Sequence, residues 1–111
     1  MANKEHLDLI KQGVGVWNKW RIENTDVIPD LSRANLKKTD LSKTDLSGAT
    51  LKKTDLRTPH VTVDQLQQAK TLYNAKLLPK IETELREKHP ERYDELLKKP
   101  VDYEETDNET K

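Results

Sequence analysis

Leucine recurs at every fifth position through the middle of the chain: Leu31, Leu36, Leu41, Leu46, Leu51 and Leu56. A helix advances about 100° per residue, so a five-residue step turns about 140° and six such leucines would ring the cylinder. A strand fails too, because an odd step sends successive side chains to opposite faces. A chain that turns a corner once per repeat meets the requirement. Each short side then directs one leucine into a shared interior, and the period predicts a solenoid.

The other phases of the repeat agree. Two residues before each leucine stand Pro29, Ala34, Thr39, Thr44, Ala49 and Thr54, small enough for a second inward position. Directly before leucine come Asp30, Asn35, Asp40, Asp45, Thr50 and Asp55, types whose side chains bond to nearby backbone and favour turns. The two residues after leucine are mostly Ser, Lys, Arg or Gly, suited to a wet outer face.

This pattern resembles the pentapeptide-repeat family, whose unit reads A(D/N)LXX, over six consecutive repeats at residues 29–58. The resemblance implies a right-handed quadrilateral β-helix with about four repeats per coil, here about one and a half coils, a β-solenoid with α caps. It would stack Leu31 with Leu51 and Leu36 with Leu56. Thr stands at three small positions where the family most often has Ala, which bears on packing tightness.

So short a repeat exposes its core and unpaired backbone at both ends, so the flanks are expected to cover it. Residues 1–28 are read as a capping helix and linker. Leu7, Ile10, Val14 and Trp17 make a helical stripe, which Leu9, Val16 and Trp20 widen, and Gly13 and Gly15 favour a bend. Trp17 and Trp20 are read as helix packing over the first coil in preference to a ligand-stacking pair.

Residues 59–101 are read as a helical block. Thr62 and Gln65 form a capping box that starts a helix near Val63, with Leu66, Ala69 and Tyr73 on one face and Leu72 beside it. A second helix follows Pro79, with Ile81 and Leu85 on one face, and a third starts at Pro90. Both flanks look like the leader and tail of cyanobacterial pentapeptide-repeat proteins. The acidic stretch 102–111 has little to bury and is expected to be disordered.

Function is read mostly by exclusion. The 111 residues contain no cysteine, which removes disulfides and thiolate chemistry. The 20 basic and 20 acidic residues cancel, and only 32% of the chain is hydrophobic, so a large conventional core is not expected. No apolar run has membrane-spanning length, and the N-terminus shows no signal-peptide pattern. His6, His60 and His89 are scattered and read as solvated, so no metal or cofactor is expected. The repeat aspartates read as turn formers and Ser32, Ser42 and Ser47 as outward positions without a histidine beside them. No enzyme is expected.

Charge is unevenly spread. Residues 29–58 hold seven bases against four acids, and residues 59–111 nine bases against twelve acids. Stacking at twenty residues brings Lys37 near Arg57 and Arg33 near Lys53, so Arg33, Lys37, Lys38, Lys52, Lys53 and Arg57 form the candidate interaction surface. Leu31, Leu36, Leu41, Leu46, Leu51, Leu56 and Trp17 form the expected core. The expected protein is a cytoplasmic, non-catalytic protein–protein interaction module, a monomer or weak homo-oligomer, with a protein partner and neither membrane nor nucleic acid. Two alternatives stand beside it. Some family members mimic duplex DNA and inhibit DNA gyrase, but such mimicry wants a long acidic rod. Weak nucleic-acid binding through the basic patch would lack the aromatic platforms of a single-strand binder.

Overall fold

The structure of the protein, a computed structural model, describes residues 2–58 and 60–99. The expectation for residues 102–111 falls outside them. Among the described residues the helices are α1 (Lys4–Lys11), α2 (Val14–Glu23), α3 (Val63–Leu66), α4 (Pro79–Lys88) and α5 (Pro90–Leu97).

Between α2 and α3 the chain turns a corner at each repeat. The amide two residues before each leucine donates to the carbonyl of the preceding leucine: Ala34 to Leu31, Thr39 to Leu36, Thr44 to Leu41 and Ala49 to Leu46, all at 3.1 Å, and Thr54 to Leu51 at 3.2 Å. In four of these turns the third residue is left-handed: Arg33 (φ 65°), Lys43 (φ 59°), Gly48 (φ 69°) and Lys53 (φ 60°). That is the type II form, which favours Gly or Asn at this position. Lys38 holds the same place in the repeat with an ordinary negative φ. The Asp or Asn before a leucine steadies the turn, as Asp40 does by accepting from the Ser42 amide (2.9 Å) and hydroxyl (2.5 Å).

The corners stack at twenty residues. Leu31 donates to Thr50 (3.0 Å) and Thr50 to Pro29 (2.8 Å); Leu36 donates to Asp55 (3.0 Å) and Asp55 to Ala34 (2.9 Å). Every repeat leucine is at most 1% exposed. The threonine at one small position is accommodated by a bond between layers: Thr54 Oγ1 donates to the Leu31 carbonyl at 2.8 Å. Among the described residues the pairing consists of isolated parallel bridges and no strand, so the expected β-solenoid is seen as stacked corners joined by single bridges. A corner every five residues leaves one bridging residue per side, too few for a ladder.

The coils also run further than expected. α3 starts at Val63 with the Thr62–Gln65 capping box, but it is a single turn. Leu66, Ala69 and Tyr73 therefore do not share a helix face. Instead Thr50 bridges Thr71 and Asp55 bridges Lys76, a step of twenty-one residues that begins a third layer. Leu72 occupies the place of Leu51, fully buried, and Asn74 (φ 58°) the place of Lys53. Where α3 replaces one side of the second coil, Gln65 restores the missing bonds. Its Nε2 donates to Leu41 O (2.6 Å) and Thr44 O (2.9 Å), while its Oε1 accepts from the Thr62 amide (2.7 Å).

Helices lie over both ends. The N-terminal stripe breaks at Gly13, whose φ of 119° separates α1 from α2. The break changes the phase of the stripe, so Ile10 and Trp17 are buried while Val14 and Val16, expected to pack, are 38% and 40% exposed. Trp17 Nε1 donates to Asp45 O (2.8 Å), and Arg21 donates to Asp45 O (3.0 Å) and Ser47 O (2.9 Å). Asn18 bonds Lys43 O and the Asp45 amide, both at 2.9 Å. At the other end Arg92 of α5 donates to Gln67 O (2.7 Å) and Ala69 O (2.9 Å), the Leu72 amide donates to Leu96 O (2.8 Å), and Leu85 and Leu96 fill the interior.

Two outcomes check this geometry. Lys43→Gly should raise stability by about 0.5–1 kcal/mol, because glycine removes the left-handed strain, while Lys38→Gly should lower it by a similar amount. Denaturant midpoints that move the same way for both would contradict the assigned turns. Gln65→Glu should cost about 1–3 kcal/mol, more than Gln65→Ala, since it sets a carboxylate oxygen against the Leu41 and Thr44 carbonyls where an amide had donated to both.

Candidate interaction surface

The outward repeat positions carry the candidate residues, and the coil register places them. Asn35 bridges Asp55, so Lys37 and Arg57 lie level on adjacent layers; the Arg33 amide donates to Lys52 O at 2.9 Å, which sets Arg33 level with Lys53. The six residues are not equivalent. Lys37 and Lys38 are exposed, whereas Arg33, Lys52 and Lys53 are half-buried. Arg57 is exposed but folds back on its own repeat, its Nε and Nη2 donating to Asp55 at 3.0 and 2.8 Å. Its charge is therefore met at close range. The surface divides into a half-buried basic column and an outer pair, Lys37 and Lys38.

Lys11, at the last turn of α1, joins that outer pair. Lys11, Asn35, Lys37, Lys38 and Thr39 line a hollow of about 420 Å³. The sequence marks Lys11 only as a basic residue at a helix end, and nothing in the five-residue period points to it.

The repeat carboxylates are held by their turns. Hydrogen bonds from the Ser42 hydroxyl and amide keep Asp40 below the usual carboxylate range. At Asp45 burial pushes the other way, and the Ser47 hydroxyl and amide with Arg21 outweigh it, so this carboxyl is also lowered. The Arg57 guanidinium holds Asp55 at about 2, with partial burial opposing it. Each aspartate accepts bonds that need its ionised form.

Two expectations about single residues change. His6 is not solvated. It is 6% exposed, its Nδ1 accepts from the Asp30 amide (3.0 Å), and its ring lies 4.8 Å from that of Trp20. Ser32 is not outward in the wet sense, being 1% exposed with its hydroxyl on Asp30 Oδ1 (2.7 Å). His6 thus joins α1 to the first corner and packs against Trp20 of α2. Trp17 is fully buried and Trp20 packs against it at 5.2 Å. His60 is exposed and His89 lies 3.8 Å from Asp64. Among the described residues no three His, Asp or Glu side chains gather as a metal site, and no helix is long and apolar enough to cross a membrane.

Stacked five-residue corners closed by helices define a small repeat protein. Residues 30–57 match the family described as Pentapeptide repeats (8 copies), and this segment of the chain belongs to the pentapeptide-repeat family. No curated protein and no solved structure matches the chain.

The acid side of the turns is testable. Asp55 titrates at about 2 in the fold against 3.8 ordinarily, so it favours the folded state above the ordinary value and loses that contribution as pH falls towards 2. Urea midpoints should fall between about pH 4 and pH 2. They should fall less steeply for Asp55→Asn; equal slopes would show that the Arg57 pairing is not made in solution.

Proposed function

We propose that this protein is a non-catalytic protein–protein interaction module that works in the cytoplasm. The observation that carries the reading is the division of labour among its charged groups. The repeat aspartates are committed to holding turns, whereas Lys37 and Lys38 project from the coil as exposed cations with no acid recruited to them among the described residues. Exposed charges of one sign on a rigid scaffold steer encounter with a partner of opposite sign and make it salt-dependent. The coil itself is read as a right-handed quadrilateral β-helix of the cyanobacterial type, whose sides are too short to register as strands.

DNA mimicry is disfavoured by charge, since the repeat carries seven bases against four acids. Direct nucleic-acid binding is disfavoured by the placement of the tryptophans, as Trp17 is buried in the cap and unavailable for base stacking.

The test compares the full chain with a Lys37→Glu/Lys38→Glu double variant as baits in lysate of the source organism. Surface substitutions of this kind should leave the melting curve within about 0.5 kcal/mol of wild type. The reading expects a protein that is captured by the wild type, is released by salt, resists nuclease and is lost from the variant. Capture that disappears with nuclease, or is identical for both baits, would contradict it.

A further inference from the structure

The N-terminal cap closes only part of the first coil. Four short sides make that coil, centred on Asp30, Asn35, Asp40 and Asp45, and their lower backbone groups have no layer beneath them. At Asp30 the amide donates to His6 Nδ1 and the carbonyl accepts from the Asn3 amide, both at 3.0 Å. At Asp45 the amide donates to Asn18 and the carbonyl accepts from Trp17 and Arg21. Asn35 and Asp40 have no such substitute: among the described residues, neither their N–H nor their C=O has a protein partner. The neighbours of Asn35 point the other way, with the Leu36 amide and the Ala34 carbonyl both bonded to Asp55 in the layer above. Asn35 thus presents one donor and one acceptor outward, the arrangement by which Asp55, one layer up, pairs with Ala34 and Leu36.

This open edge is also the basic hollow. Lys11 stands on one rim, and Lys37 and Lys38 follow Asn35 along the chain. The nearest acid in sequence, Asp40, has its carboxylate occupied by Ser42. A row of unpaired backbone groups is a template for another extended chain, and main-chain bonds supply its affinity while flanking side chains select it.

We propose that the edge at Asn35 is a docking site for an extended acidic peptide segment of a partner protein. The segment pairs its backbone with the Asn35 N–H and C=O and sets its carboxylates against Lys11, Lys37 and Lys38. This deepens the interaction-module reading and rests on it. A nucleic acid would satisfy the lysines but offers no peptide backbone to Asn35. A second copy meeting this edge through its own equivalent edge would bring lysines against lysines. An acidic extended peptide meets both requirements at once.

The experiment titrates the ¹⁵N-labelled full chain with a synthetic peptide of alternating Glu and Val. The same peptide with every backbone amide N-methylated and an oligothymidylate of similar charge serve as competitors for the site. Saturable shifts are expected at the Asn35, Leu36 and Lys37 amides. Affinity should drop about tenfold or more for the N-methylated peptide, because main-chain bonds carry it, and comparably for Lys37→Glu/Lys38→Glu. Equal binding of the N-methylated peptide, equal binding of oligothymidylate, or shifts centred elsewhere would overturn the proposal. If the peptide leaves this edge untouched while the lysate partner is still lost from the lysine variant, the docking mode is wrong and the module reading stands. If no lysate partner depends on the lysines yet the peptide pairs at Asn35, the edge stands and the wider reading fails.

Discussion

The fold depends on giving partners to the backbone groups at the two ends of a very short coil. A narrow interior filled by one leucine per side is dry, so the peptide groups that frame it need hydrogen bonds or water. Within the stack, adjacent layers supply them. At the ends no layer exists, and helices stand in for it. Trp17, Asn18 and Arg21 take the carbonyls of Lys43, Asp45 and Ser47 at one end; Arg92 takes those of Gln67 and Ala69 at the other. Arginine suits this work because its fork of donors reaches two carbonyls at once.

Gln65 shows the same logic inside the stack. α3 interrupts the second coil, and the side it replaces can no longer pair backbone to backbone. One side-chain amide then serves both structures, accepting from Thr62 to start the helix and donating to Leu41 and Thr44 to hold the layer. The same accounting explains why the molecule has an open edge at all. Two short helices separated by Gly13 reach two sides of the first coil, those at Asp30 and Asp45, and leave Asn35 and Asp40 to solvent. Cap geometry, and not repeat sequence, decides which part of the coil faces a partner.

The five-residue period made the repeat legible, because no helix or strand places Leu31 to Leu56 on one side. The helices after Pro79 were legible for a similar reason: proline fixes a first turn, and Pro90 enforces a break. The third layer was hidden by one extra residue. Thr71 to Leu77 repeat Thr50 to Leu56 at a spacing of twenty-one instead of twenty, and Leu66, Ala69 and Tyr73 happen to fit helical spacing. The clue was Asn74, which favours the left-handed turn position that Lys53 holds one layer below. At the candidate surface the sequence located Lys37 and Lys38 but treated Arg57 as their equal. Its pairing with Asp55 within the same repeat depends on a side-chain conformation that spacing does not encode. Lys11 joins them through the packing of α1, which is tertiary information.

If caps and coils are one structure, they should open together. Native-state hydrogen exchange compares the indole N–H of Trp17, which bonds Asp45 in the cap, with the amides of Leu36 and Leu51, which bond the next layer within the coil. The account predicts that all three exchange through a single opening, with free energies that agree and fall in parallel as denaturant is added. A Trp17 indole that exchanges at much lower free energy, while Leu36 and Leu51 stay protected, would show a coil that stands without its cap and would contradict the central claim.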